Sequence, residues 1–177
     1  MISKNQQIID QSIIKIKKDG YTVIKNYIKK NVVKKLLNLV NKNYNKTKNI
    51  RYNGIPKRDA EDKIVYNLQN KDFNFIKLLS GKIITEIGKC FLNDKYYRFL
   101  PKDKANFILN YFNARSSGKK LDLHIDSFIP FTGKRTNVMQ FVFLLEDSTK
   151  ENGCTTVVKG SHLSGKYTNR KTKNITN

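Results

Sequence analysis

A histidine and an aspartate two positions apart, His124 and Asp126, are the residues of this sequence best suited to chemistry. In a β-strand alternate side chains share one face, so the imidazole and the carboxylate would point the same way and could bind a divalent metal from one side. They would be two of the three ligands in the 2-His-1-carboxylate triad that holds non-haem Fe(II). Read alone, the pair is more simply explained as a half-exposed strand with a polar outer face. The metal hypothesis requires both side chains to project into the concave interior of a β-scaffold.

The elements that must hold this pair change character at Pro101. Before it, apolar residues recur at the three- and four-residue spacing of helices, and after it the pattern becomes strand-like. Helices followed by antiparallel strands predict an α+β domain built on a β-sandwich or jelly roll. The predicted helices span 4–18, about 31–44 and 73–91, and the predicted strands span 21–24, 106–113, 121–126, 137–145 and 153–159.

Local signals add detail to these predictions. Gly20, which closely follows two lysines, fits the end of the first helix, and Asp72 fits the start of the third. The segment 137–145 is too apolar for an exposed sheet, which predicts a strand buried on both faces. Residues 45–71 are polar and predict an irregular segment over the site entrance, while residues 114–120 predict a loop.

The composition is that of a folded and strongly basic protein. The chain has 177 residues, of which 38% are hydrophobic and 11% aromatic, which is enough for one domain with a sizeable core. Its formal net charge of +21 could attract nucleic-acid phosphates. However, the lysines are spread along the whole chain, and Lys, Asn and Ile are abundant together, as an AT-rich coding sequence would give. We therefore interpret the charge as composition and do not expect nucleic acid as the main partner.

Two further features concern the environment of the protein. No apolar run approaches the about 20 residues that cross a bilayer, and the N-terminus lacks the apolar core of a signal peptide. We therefore expect a cytoplasmic protein with no membrane partner. Cys90 and Cys154 do not have the spacing of a metal site, and we expect both to be reduced and partly buried.

Four short motifs follow one another across residues 4–163. They are Asp19-Gly20-Tyr21 between two predicted helices, His124-Ile125-Asp126, Glu151-Asn152-Gly153 after a buried strand and Asp147, and Gly160-Ser161-His162. In order and spacing they resemble the phytanoyl-CoA dioxygenase (PhyH) family of Fe(II)- and 2-oxoglutarate-dependent oxygenases. The position before the last motif is usually Pro in that family and is Lys159 here.

The resemblance implies a fold, a reaction and a set of cofactors. The fold would be α+β, with N-terminal helices packed on a partial double-stranded β-helix (a cupin-like jelly roll). It would form one domain over residues 1–163 that lacks its last strands, followed by a polar basic tail at 164–177. The reaction would be hydroxylation of a small organic substrate with Fe(II) and 2-oxoglutarate, and His124 and Asp126 would be metal ligands.

Other polar residues are candidates for the surroundings of the metal. Asp122 shares the predicted strand face with the His-x-Asp pair, and is either a hydrogen-bond acceptor for a metal ligand or a solvated carboxylate at a strand end. Gln140 lies within an apolar run, where a buried amide must be satisfied, so it either lines the 2-oxoglutarate pocket or bonds neighbouring backbone. Asn110 and Tyr111, on the preceding strand, are weaker candidates for the same pocket.

Two expected residues of the family have no counterpart in the sequence. After Gly-Ser-His the family continues to a second metal-binding histidine and then to an arginine that binds the distal carboxylate of 2-oxoglutarate. The only other histidine here is His162, which matches a structural turn residue, and Arg170 lies in the polar tail. We therefore expect a dioxygenase that is truncated or inactive as encoded unless other residues complete the site. The alternative is a non-catalytic homologue that acts as a basic binding protein for nucleic acid or another protein.

Overall fold

A computed structural model describes residues 3–47, 62–93, 100–102, 104, 106–117, 122–126 and 136–164 of the chain. Within these residues the fold is a mixture of helix and sheet, in which helices come first. The helices are α1 (Lys4–Asp19), α2 (Lys30–Thr47), α3 (Phe73–Leu79) and α4 (Lys82–Leu92), the strands are β1 (Asp62–Val65) and β2 (Ala114–Ser117), and 3₁₀ turns occupy Leu68–Asn70 and Ser161–Leu163.

Helix α1 begins and ends as its sequence predicts. The Ser3 hydroxyl accepts a hydrogen bond from the Gln6 N–H at 3.3 Å, which satisfies one of the unpaired N–H groups of the first turn. Gly20 follows the helix in the left-handed conformation, with φ of 86°, and donates its N–H to the Ile16 carbonyl at 2.9 Å. A residue with a Cβ adopts this conformation only with strain, so glycine is the residue that ends the helix here.

The predicted helix over 73–91 is wrong as a single helix, because it is interrupted between α3 and α4. Asp72 does cap its start, since the carboxylate accepts from the Asn74 N–H at 2.8 Å. At Gly81 the backbone is extended, and a Cβ there would stand 2.5 Å from the Tyr27 hydroxyl oxygen. The Tyr27 hydroxyl therefore fills the space that a side chain at residue 81 would need in this extended conformation.

The two strands form a single antiparallel ribbon in the described chain. β1 pairs with β2 in the register Asp62 with Ser117 and Val65 with Ala114. The Leu68 N–H donates to the Phe112 carbonyl at 2.8 Å, which continues the contact beyond the ladder. The predictions of an irregular segment at 62–65 and a loop at 114–117 are therefore wrong; residues 48–61 and 118–120 lie outside the described part.

The remaining predicted strands are not paired strands in the described residues. Residues 21–24, 106–113, 122–126, 137–145 and 154–158 carry no ladder. Along 137–145 burial alternates: Met139, Phe141, Phe143 and Leu145 are half-buried, whereas Val142 and Leu144 are 60% and 58% exposed. The prediction that this segment is buried on both faces is therefore wrong, and so is the expected burial of Gln140, which is exposed.

The core consists of two clusters that the 137–145 segment connects. The first centres on Leu36, Val65, Leu68 and Phe75, with Leu145 packed against it. The second centres on Ile9, Ile83 and Ile87, where α1 meets α4, with Met139 and Phe141 packed against it. Between them the Phe143 ring lies 6.0 Å from the Tyr27 ring and 6.2 Å from the Phe112 ring.

The remaining expectations concern the two cysteines and membrane-spanning segments. Both cysteines are free, and Cys154 is half-buried as expected, but Cys90 is exposed on α4. None of the described helices combines the length and the apolar character needed to cross a bilayer.

Candidate metal-binding site

The segment 122–126 keeps the two-residue alternation of a strand although it is not part of a ladder. Leu123 and Ile125 are half-buried, whereas His124 and Asp126 both face outward. The side chains of His124 and Asp126 are 53% and 40% exposed. The pair therefore shares one side of the chain, as predicted. Both side chains are exposed to solvent, so within the described residues the required projection into the concave interior of a β-scaffold is not met.

The imidazole and carboxylate of this pair are in direct contact. The Nε2 atom of His124 lies 3.1 Å from Oδ1 of Asp126. The other ring nitrogen, Nδ1, lies 2.6 Å from the main-chain carbonyl oxygen of Asp122. Asp122 thus contacts the imidazole through its backbone and not through its carboxylate, which differs from the role considered for its side chain.

These contacts determine what His124 can bind. A carbonyl oxygen can only accept, so Nδ1 must carry the proton of that hydrogen bond. The Nε2 lone pair and the Asp126 carboxylate oxygen then lie side by side, where one divalent cation can bind both. Two cis ligands with metal bonds of about 2.1 Å stand about 3.0 Å apart, close to the separation found here. The donor set therefore fits two adjacent positions of a divalent metal.

The cosubstrate candidates lie on two neighbouring extended segments. Gln140 Nε2 lies 3.5 Å from the Tyr111 hydroxyl oxygen, so the structure brings two of the three predicted residues together. Asn110 is exposed beside Tyr111. Within the described residues, no hydrogen bond or ion pair links these three side chains to His124 or Asp126.

His162 lies at the end of α1, where it contacts the helix backbone. Its Nε2 atom donates to the Lys17 carbonyl oxygen at 3.1 Å, and its ring lies so close to Gly20 that a Cβ there would be 2.6 Å from Nδ1. The Gly160 N–H donates to the Asp19 carbonyl at 2.8 Å. His162 is thus a hydrogen-bonded turn residue in this structure, the role its motif position implied.

Asp19 is a buried acidic residue whose contacts sequence reasoning missed. Its side chain is 8% exposed and pairs with Lys159 at 3.4 Å and with Lys15 at 3.5 Å. Desolvation alone would raise the pKa of this carboxyl, but the two lysines outweigh it and hold the pKa below its ordinary value. The sequence signal was Lys159 in place of the usual proline, which supplies one of these charges.

The side chain of Asn152 forms the hydrogen bonds that shape the Glu151-Asn152-Gly153 motif. Its side-chain oxygen accepts from the Thr149 N–H at 2.7 Å and its NH₂ group donates to the Asp147 carbonyl at 2.6 Å. Gly153 follows with φ of 83°, which favours glycine. Glu-Asn-Gly is therefore a loop-closing motif. Hydrogen bonding to Thr149 holds the pKa of the Glu151 carboxyl below its ordinary value.

No group of three or more His, Cys, Asp or Glu side chains with metal-binding geometry occurs in the described residues.

The sequence profile of the family described as phytanoyl-CoA dioxygenase (PhyH) matches residues 16–176, which is most of the chain. No curated protein sequence and no solved structure matches significantly. The domain boundary expected at residue 163 remains a prediction. The chain therefore belongs to the phytanoyl-CoA dioxygenase (PhyH) family, an oxygenase family whose members generally use Fe(II) and 2-oxoglutarate.

Proposed function

We propose that this protein is an Fe(II)- and 2-oxoglutarate-dependent dioxygenase that hydroxylates a small organic substrate. The observation that carries the proposal is the contact between His124 Nε2 and Asp126 Oδ1 at 3.1 Å, in a chain that belongs to this oxygenase family. These two atoms are the metal ligands in the proposal. The described residues do not form the enclosing β-scaffold that the metal hypothesis required, so the proposal takes its reaction class from membership of the family and its residues from this contact.

The backbone of Asp122 would orient the first ligand. Metal-binding histidines usually donate their second ring N–H to a carboxylate or carbonyl, which fixes the tautomer and the ring plane. The Nδ1 contact with the Asp122 carbonyl at 2.6 Å is such an arrangement, and it leaves Nε2 as the metal-binding nitrogen. Asp126 would contribute one negative charge, which lowers the net charge of the divalent centre. The second metal-binding histidine of the family has no counterpart in this sequence, so the protein would supply two of the three ligands of the triad.

Gln140 and Tyr111 would bind 2-oxoglutarate. An amide NH₂ and a phenolic O–H are both donors to carboxylate oxygens, and here they lie 3.5 Å apart on separate segments. Asn110, the residue beside Tyr111, would add a third polar group. In this proposal the extended segments 106–113 and 137–145 correspond to strands of the family's double-stranded β-helix, and Gln140 and Tyr111 line its mouth.

The bound Fe(II) would supply the activation of O₂ that couples oxidative decarboxylation of 2-oxoglutarate, to succinate and CO₂, with hydroxylation of a C–H bond. The protein's own residues would hold the metal and orient the cosubstrate. Since His124 and Asp126 are roughly half exposed, both remain open to a ligand in this structure.

The experiment is an assay of succinate formation from 2-oxoglutarate with and without Fe(II). Wild-type protein should form succinate only with Fe(II), and His124→Ala should lose this activity by about a hundredfold or more, because mutating even the hydrogen-bond partners of a metal ligand costs about 10–100-fold. The matched control is His162→Ala, which removes the other imidazole but leaves the proposed ligands in place. Circular dichroism would establish that each variant is folded.

Two results would contradict the proposal. One is Fe(II)-dependent turnover that survives His124→Ala, and the other is a folded wild-type protein that forms no succinate with any added substrate. The second result would mean that the chain belongs to the family but does not catalyse the family's reaction.

A further inference from the structure

The pair of His124 and Asp126 lies at the surface and offers a metal only two ligands. Both side chains are exposed, and Nε2 of the imidazole lies 3.1 Å from Oδ1 of the carboxylate. In the described part of the chain, no third His, Cys, Asp or Glu joins them in a metal-binding group. The other imidazole of the sequence, His162, is bound to the carbonyl oxygen of Lys17. A metal held by the pair therefore keeps coordination positions to be filled by other ligands.

Zn(II) is a divalent metal whose preferences suit this pair. It accepts imidazole nitrogen and carboxylate oxygen at about 2.0–2.2 Å and is almost always four-coordinate in structural sites. Two such ligands stand about 3.4 Å apart in a tetrahedral site and about 3.0 Å apart at a right angle. The separation of 3.1 Å between Nε2 and Oδ1 lies between these values. The pair therefore supplies one half of a four-coordinate site.

The imidazole is already oriented for this role. Its Nδ1 atom lies 2.6 Å from the main-chain carbonyl oxygen of Asp122, so Nδ1 carries the proton and Nε2 has the free electron pair. Leu123 and Ile125, the neighbours of the imidazole along the chain, are half-buried, whereas both ligand side chains are exposed. Both ligand atoms thus lie on the outward side of the segment.

A second copy of this chain can supply the other half of the site. Two copies related by a two-fold axis present the same surface to each other, which is the commonest arrangement of soluble homo-oligomers. With the metal on that axis, the two copies provide two imidazoles and two carboxylates. The carboxylates neutralise both positive charges of Zn(II), so the link itself has no net charge. The chain has a formal charge of +21, but exposed charges more than about 8 Å apart are largely screened at physiological ionic strength.

We propose that Zn(II) links two copies of this chain through His124 and Asp126 of each copy. The proposal uses the same two ligands as the proposed dioxygenase but not its activity. In the linked form the second copy occupies the coordination positions that 2-oxoglutarate would need. The dimer and the oxygenase site are therefore alternative uses of one pair of residues.

The test measures the mass of the full chain by sedimentation velocity, first after removal of metal with a chelator and then with Zn(II), in the absence of Fe(II) and 2-oxoglutarate. Wild type should change from monomer to dimer, and calorimetry should give one Zn(II) per two chains. His124→Ala and Asp126→Ala should each weaken the dimer by about tenfold or more, because one substitution removes two of the four ligands. The matched controls are His162→Ala and Asp147→Ala, which remove the same residue types elsewhere and should dimerise within about twofold of wild type. Circular dichroism would establish that each variant is folded.

Each outcome decides the proposal. A Zn(II)-dependent dimer with half a metal per chain, lost in both ligand variants and kept in both controls, supports it. One Zn(II) per chain, a dimer that survives His124→Ala, or an equal loss in ligand and control variants would overturn it. Folded wild-type protein that binds no Zn(II) would overturn it as well.

The two proposals fail separately. A Zn(II)-linked dimer of a protein that forms no succinate would support the link and contradict the dioxygenase. A protein that forms succinate with Fe(II) but stays monomeric with Zn(II) would do the reverse.

Discussion

The two histidines of this protein lie in opposite environments, and their surroundings rather than their residue type indicate what each can do. His162 is half-buried, its ring covers Gly20, and its Nε2 donates to a helix carbonyl. His124 is exposed and its Nε2 faces a carboxylate. The first arrangement leaves no room for a metal at Nε2, and the second places two electron-pair donors next to each other. For this reason the proposed metal site includes only one of them.

Alanine substitutions at two glycines, Gly20 and Gly153, test how tightly the His162 ring packs. Gly20 and Gly153 have nearly equal φ of 86° and 83°, so alanine at either should cost about 1–2 kcal/mol of backbone strain. Only at Gly20 would the new Cβ meet the His162 ring, whereas at Gly153 nothing lies within 4 Å. Gly20→Ala should therefore lower the free energy of unfolding by about 1 kcal/mol more than Gly153→Ala in urea titrations.

The double variant Gly20→Ala with His162→Ala separates the two causes. Removing the imidazole should eliminate the excess cost of the alanine, because the collision partner is gone. If the excess persists without the imidazole, the contact does not limit residue 20, and the cost has another origin.

At the scale of elements, the end of α1 and the 3₁₀ turn at Ser161–Leu163 form one unit although they are far apart in the chain. Gly160 donates to the Asp19 carbonyl, and Lys159 pairs with the Asp19 carboxylate. Two of the four sequence motifs that resemble the family are therefore in contact. Their joint presence in the sequence has a structural reason, since Lys159 and Gly160 supply the positive charge and the N–H that pair with the carboxylate and the carbonyl of Asp19.

This unit predicts a pH dependence of stability. Because the pKa of Asp19 is lowered in the folded protein, its ion pairs stabilise the fold above the unfolded pKa of about 3.9, and this contribution is lost as the pH falls through the folded pKa. Asp19→Asn should therefore melt below the wild type at pH 7, and the difference should shrink toward pH 3.

The melting temperatures of both proteins across that range provide the measurement. Asp10→Asn is the matched control, since Asp10 lies on the same helix but binds Gln6 at 2.9 Å. A difference for Asp19→Asn that is the same at pH 7 and pH 3 would mean that the lysine pairs do not contribute to stability.

At the scale of the whole molecule, the features predicted correctly are those that local chemistry determines. The caps at Gly20 and Asp72 depend on neighbours within a few residues, so composition and spacing reveal them. The ladder at Asp62–Val65 was missed because a strand is defined by its partner, and the partner here is more than 40 residues away. The break between α3 and α4 was also missed, because the apolar residues keep the helical three- and four-residue spacing across it.

In the candidate site the alternation of side chains was predicted correctly, but the hydrogen-bond acceptor of His124 and the exposure of Gln140 were not. Alternation along 122–126 was predictable, because the two-residue period of an extended chain needs no partner. The acceptor for His124 was not, because the Asp122 backbone carbonyl has no signature in a sequence of side chains. Burial of Gln140 was also predicted wrongly, since an apolar run indicates packing only where a second layer covers both faces.

The most direct test of the account is an anaerobic calorimetric titration of the protein with Fe(II). We predict that wild type binds one Fe(II), that Asp126→Ala binds at least about tenfold more weakly, and that Asp122→Ala binds as wild type does, because only the backbone carbonyl of Asp122 contacts His124. Equal affinity in wild type and Asp126→Ala would contradict the assignment of the metal site.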